Sequence, residues 1–137
     1  MKKMFLFLFL FAMMACDKPI VEDCENYDFS DCELEKPVWG IIKVKLTIND
    51  ENPFVPLVFY KGYFEEGNIE YIDTAYQNNY EIDMPLDYYL SVKAEYVSAG
   101  KTIFAVDGGK FETKKYRVCD EDCWVIRGGD YNVELKY

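Results

Sequence analysis

Tyr88-Tyr89-Leu90-Ser91-Val92-Lys93-Ala94-Glu95-Tyr96-Val97 is the longest clean strand signal in the chain. Tyr88, Leu90, Val92, Ala94 and Tyr96 alternate with Tyr89, Ser91, Lys93, Glu95 and Val97. A period of two puts alternate side chains on opposite faces of a sheet. Toward the N-terminus, Tyr80, Ile82 and Met84 make a short strand that Pro85 ends, and Ile69 to Tyr76 follows a turn at Glu65-Glu66-Gly67-Asn68. Val55 to Tyr60 is apolar on both faces, which suits an interior strand. Pro56 cannot donate a ladder hydrogen bond, so it must lie at an edge, a strand start or a bulge. Ile42, Val44, Leu46 and Ile48 alternate with Lys43, Lys45, Thr47 and Asn49, giving a first strand with one wet face.

Toward the C-terminus, Ser98-Ala99-Gly100-Lys101 leads into a strand over Thr102 to Val106, and Asp107-Gly108-Gly109 reads as a hairpin turn. Phe111 to Cys119 and Cys123 to Arg127 then flank the acidic stretch Asp120-Glu121-Asp122. After Gly128-Gly129-Asp130, the last strand turns Tyr131, Val133, Leu135 and Tyr137 inward. No segment sustains a 3.6-residue period. Eight or nine short strands with turns every 8–12 residues predict an all-β fold, an antiparallel sandwich of two sheets with about eight strands over residues 37–137.

The start of the chain is of another kind. Met1-Lys2-Lys3, an apolar run from Met4 to Met14 and a small Ala15 are the parts of a secretory signal peptide. The run is too short to span a bilayer, about 16 Å against roughly 30 Å of hydrocarbon. Cys16 directly after Ala15 resembles the lipobox of bacterial lipoproteins, with Met13 and Met14 where Leu and Ala or Ser are commoner. The resemblance implies that residues 1–15 are removed and that Cys16 is lipidated, so that the membrane is a partner through the N-terminal lipid. Stable anchoring takes two acyl signals, which a lipoprotein cysteine supplies.

Cleavage leaves 137 − 15 = 122 residues and, with Lys2 and Lys3 gone, moves the formal charge from −10 to −12. Such a chain repels phosphate backbones, so nucleic acid is not an expected partner. Residues 17–35 hold eight acids against Lys18 alone and few apolar groups. Residues 16–36 therefore read as an acidic tether. Acids soon after the lipid cysteine also resemble the export tag of Bacteroidetes surface lipoproteins, although Lys18-Pro19-Ile20-Val21 intervenes before Glu22-Asp23. In enteric bacteria Asp17 would instead imply retention at the inner membrane. The expected location is the cell envelope, as an outer-membrane lipoprotein facing the periplasm or the surface.

Cys24, Cys32, Cys119 and Cys123 remain after Cys16, an even number that in an exported protein reads as two disulfides. Three connectivities are open. If Asp120-Glu121-Asp122 turns a hairpin, Cys119 and Cys123 come to lie opposite each other. Local pairing, 24–32 and 119–123, is therefore the expectation.

The run from Val38 to Tyr137 resembles the prealbumin-like and carboxypeptidase-regulatory-like β-sandwiches common in Bacteroidetes lipoproteins. The likeness rests on strand rhythm, without a diagnostic motif. An immunoglobulin-like topology is the rival, but its core cysteines flanking a tryptophan do not fit, since Trp124 adjoins Cys123 and should point to the opposite face. These families imply adhesion, assembly or scaffold roles, and fold analogy alone is a weak warrant for any of them.

The chain has no histidine. That removes Ser-His-Asp and Cys-His catalysis and His-ligated zinc. No enzyme activity, cofactor or metal is expected. Asp120-Glu121-Asp122 lacks the EF-hand spacing and reads as a solvated hairpin tip. Cys119 and Cys123 are one residue too far apart for thioredoxin-type chemistry and read as structural. A carboxylate-based hydrolase would need a deep pocket holding a carboxyl of strongly raised pKa.

Twelve tyrosines are the most suggestive feature left. Tyr60, Tyr63 and Phe64 precede one turn, and Tyr88 and Tyr89 follow Pro85. Such rings either fill a core or form an exposed platform for a protein or glycan partner. The expected function is a lipid-anchored binding or scaffold module. The alternative is a structural accessory of a fimbria or outer-membrane complex that acts by strand addition at an open edge.

Overall fold

The computed structural model describes residues 24–30 and 32–136, so Cys16, the leader and Tyr137 lie outside the described residues. Eight strands follow one another: β1 Trp39–Lys45, β2 Val55–Lys61, β3 Ile69–Ala75, β4 Asn79–Pro85, β5 Tyr88–Ser98, β6 Lys101–Val118, β7 Glu121–Arg127 and β8 Asp130–Asn132. One 3-10 turn, Phe64–Glu66, lies between β2 and β3. The chain is all-β, with a three-stranded sheet ordered β4-β1-β8 and a five-stranded sheet ordered β3-β2-β5-β6-β7. Every pairing is antiparallel except β1 with β8, which is parallel and so departs from the all-antiparallel expectation.

The alternation read from the sequence decides which residues face inward. Ile42 and Val44 of β1, Leu57 and Phe59 of β2, and Leu90, Val92, Ala94 and Tyr96 of β5 are buried in one core between the sheets. Tyr131, Val133 and Leu135 join them, although the last strand ends at Asn132. Pro56 stands near the start of β2, and pairing with β5 begins only at Leu57, immediately after it. Each open side of the sandwich is bridged by a carboxylate of the larger sheet. Asp73 on β3 accepts from the Tyr80 hydroxyl on β4 at 2.5 Å, and Asp107 on β6 accepts from the Asn132 amide at 2.8 Å.

Asp107-Gly108-Gly109 is not a turn. It lies inside β6, an 18-residue strand that pairs with β5 as far as Phe111 and with β7 from Glu112 onward. The reason lies on the neighbouring strand: a Cβ on Gly108 would stand 2.9 Å from Cε1 of Tyr89, so the missing side chain is the seat of that ring. Two predicted strands thereby become one, and β6 carries a two-stranded β6–β7 ribbon past the last pairing with β5.

The ribbon also explains the cysteines. Its tip is a two-residue turn at Cys119-Asp120, both with positive φ (49° and 65°), the geometry of tight hairpins. Val118 therefore pairs with Glu121 and Cys123 with Tyr116, so the two cysteines do not face each other. Local pairing is overturned: Cys24 bonds to Cys119 and Cys32 to Cys123. Residues 24–30 and 32–36 are consequently fastened to the ribbon as a strap. Between the strap and β7, the Trp124 amide donates to the Glu33 carbonyl at 2.8 Å. The Lys36 ammonium pairs with Asp87 and lies 5.5 Å from the Trp124 ring centroid.

Candidate functional site

Strands apolar on both faces must leave one set of side chains outside the core, and here that set is contiguous. One row across the outer face of the five-stranded sheet runs Ile72, Val58, Lys93, Val106 from β3 to β6. The next runs Ile69, Tyr60, Ser91, Gly108. Phe104 lies beside the first row, across from Glu95. Ile72 is 61% exposed, Ile69 and Phe104 55%, and Val106 40%. Single exposed apolar residues need no explanation, whereas a continuous patch marks a contact surface.

Lys93 organises the centre. Its ammonium lies 5.0 Å from the Phe104 ring centroid and 5.7 Å from that of Tyr60, a cation between two π faces. Tyr60 is thus covered and only 6% exposed. At the Gly62 end of the face, Tyr63 and Tyr89 pack with ring centroids 4.5 Å apart, and Phe64 meets Tyr60 edge-on at 6.5 Å. Two hydrogen bonds fix this corner: the Ser91 hydroxyl donates to the Gly62 carbonyl and the Gly62 amide to the Tyr89 carbonyl, both at 2.7 Å.

Of the five aromatics singled out from the sequence, Tyr60, Tyr63, Phe64 and Tyr89 are brought together here. Tyr88 is not. It pairs with Phe111 and is only partly exposed, with the Lys61 ammonium 5.3 Å from its ring centroid. Its hydroxyl is buried without a partner among the described residues, and burial followed by the Glu70 charge pushes its pKa up to about 12. Val58, Ile69, Ile72, Phe104 and Val106 were not singled out. Their signal was the two-faced apolarity of the stretches that hold them.

The three-stranded sheet offers a contrast. An open concavity of about 350 Å³ beside it is lined by Lys43, Lys45, Glu81 and Asp130, among others, and reaches Asp107 of β6. Lys43 is in register with Glu81 on one side and Asp130 on the other, so neighbouring charges cancel. Among the described residues no three Cys, Asp or Glu side chains converge as metal ligands. Asp120-Glu121-Asp122 lies at the ribbon tip, where Asp122 is engaged by Lys115 at 3.0 Å and Arg117 at 3.7 Å.

Among the described residues four carboxyls are displaced from their ordinary titration range, all downward. The Tyr80 hydroxyl and then the Thr74 amide lower Asp73. Lys36 and then Thr113 hold Asp87 at about 2. The Ser30 amide lowers Asp28, and Lys114 lowers Glu112. These shifts favour ionised groups, the reverse of what a general acid at neutral pH requires.

No family model, no curated protein and no solved structure matches the chain.

Proposed function

We propose that this protein is a lipid-anchored envelope module that binds a protein partner through the outer face of its five-stranded sheet. The observation that carries the reading is the exposed row Ile72-Val58-Lys93-Val106 with Phe104 beside it. Branched aliphatic side chains offer no flat surface on which a sugar ring can stack, and they suit the apolar centre of a protein interface. The acidic rest of the chain favours a partner of complementary charge. The two-sheet architecture supports the resemblance to prealbumin-like and carboxypeptidase-regulatory-like sandwiches, whose implied roles are adhesion and scaffolding.

Affinity capture with crosslinking from the native envelope tests this directly. The wild-type chain should recover a defined partner that Ile72→Asp and Val106→Asp variants, folded by circular dichroism, do not. Equal recovery by the variants would refute the face. Recovery of nothing, together with binding on a glycan array, would move the reading to sugars. Labelled palmitate should enter the wild-type chain and not Cys16→Ser.

A second reading has its own support. Among the described residues β3 is an edge strand with a single pairing partner, and it exposes Ile69 and Ile72. Strand addition at that edge would give the assembly role. One feature blunts it: the Thr74 amide is already taken by the Asp73 carboxylate at 2.7 Å.

A further inference from the structure

We infer that the tip of the β6–β7 ribbon is the end of the domain nearest the bilayer. The outer face of the five-stranded sheet then takes a partner that projects or diffuses clear of the membrane, and not the membrane surface itself. This deepens the function proposed above and rests on the reading of Cys16 as the lipid-bearing residue.

The argument is one of connectivity and length. Cys24 is bonded to Cys119 at the ribbon tip, so the chain arriving from Cys16 enters the domain there. Only residues 17–23 intervene. Eight residue steps reach less than about 29 Å even when fully extended. From the tip the strap runs back along the ribbon, held at Cys32–Cys123 and at the Glu33–Trp124 bridge, which leaves no slack beyond Cys24.

The recognition face lies at the far side of that entry. β6 runs without a break from Val118 beside the tip, through Val106 on the face, to Lys101 at the hairpin with β5. Measured along the strand at roughly 3.3 Å per residue, Val106 lies about 40 Å from the tip and Lys101 about 56 Å. Both distances exceed the longest reach of residues 17–23. Charge opposes lying down, because a lipidated chain of net charge −12, without Lys2 and Lys3, is repelled by anionic headgroups. The apolar row is thereby held on a strut, out of register with the lipid surface.

Energy transfer in vesicles tests the orientation. The full lipidated chain is reconstituted in phosphatidylethanolamine–phosphatidylglycerol vesicles that carry a headgroup-labelled acceptor lipid. A fluorescent amino acid replaces Asp120, Val106 or Lys101 in turn. Transfer should be severalfold stronger from position 120 than from 106 or 101. Removing the tip staple with Cys24→Ser and Cys119→Ser lengthens the leash to residues 17–31 and should lower transfer from position 120. Equal or reversed transfer from a chain that floats with the vesicles would overturn the orientation and leave the lipid reading standing. Flotation of Cys16→Ser as complete as wild type would overturn the lipid reading and this inference with it.

Discussion

The Tyr96 hydroxyl donates to the Val133 carbonyl at 2.7 Å, joining the middle of the five-stranded sheet to the segment that follows β8. The same oxygen accepts from the Thr47 amide at 3.2 Å. Tyr96 is fully buried, and its one phenol satisfies a buried backbone carbonyl and a part-buried backbone amide. Tyr96→Phe leaves both unpaired and should cost about 1–3 kcal/mol in urea unfolding. Tyr131 is also buried, but its hydroxyl has no partner among the described residues. Tyr131→Phe should be neutral or stabilising. A larger loss from Tyr131→Phe than from Tyr96→Phe would contradict this account.

Backbone geometry supplies a second contrast. Gly128 and Gly67 both have positive φ, +79° and +70°. A Cβ at Gly128 would collide with the Lys110 carbonyl oxygen, whereas at Gly67 it meets nothing within 4 Å. Gly67→Ala carries only the left-handed cost, about 1 kcal/mol. Gly128→Ala adds a backbone collision between the last turn and β6 and should lose about 3 kcal/mol or more, or fail to fold. Equal thermal midpoints for the two variants would show that the collision is relieved elsewhere.

Peptide mapping without reduction should recover Cys24 linked to Cys119 and Cys32 linked to Cys123, and no 119–123 peptide. The two staples are not independent. The first to close spans more than 90 residues of chain, worth about 4.7 kcal/mol in the loop-entropy model. With one in place, the other closes a ring of residues 24–32 and 119–123, fourteen residues and roughly 3 kcal/mol. Removing either pair should therefore cost about 3 kcal/mol, and removing both about 8 kcal/mol, more than the sum of the two single losses. Cys123 is fully buried while Cys24 is exposed, so titration with dithiothreitol should open 24–119 first.

Acid should weaken the strap. Asp87 sits at about 2 when folded, chiefly through Lys36, against about 3.9 in an unfolded chain. A depressed folded pKa gives stability that is present above about pH 4 and is lost as pH falls toward 2. Asp87 is 41% exposed, so solvent screening keeps the effect small. Asp87→Asn, which tolerates the positive φ of 70° at that site, should flatten the wild-type decline of thermal midpoint between pH 4 and 2. An unchanged slope would exclude the Lys36–Asp87 contact as its source.

What could be read in advance divides along a physical line. Period-two alternation is a local property, so β1, β2, β5 and the inward set Leu90, Val92, Ala94 and Tyr96 were legible. Gly108 misled because glycine in a turn and glycine beneath a ring look alike in sequence. Only the ring of Tyr89, on the neighbouring strand, separates the two cases. Residues 24–36 read as a tether because they lack apolar groups, yet their order comes from distant partners, Cys119, Cys123 and Trp124 more than 90 residues away and Asp87 about 50. The candidate face was half visible. Turn proximity found Tyr63, Phe64 and Tyr89, but Ile72 and Phe104 needed the sheet order, which no single stretch encodes.

The parallel pairing of β8 with β1 sets Lys43 beside Asp130, so the smaller sheet cannot be completed until nearly the whole chain is in hand. Such a contact closes one of the longest loops in the molecule, and topologies rich in distant pairings mature in milliseconds to seconds rather than microseconds. Until then one flank of β1 stands unpaired above an unfinished core. A chain shortened by its final seven residues would linger in that half-built condition, prone to sticking to its neighbours.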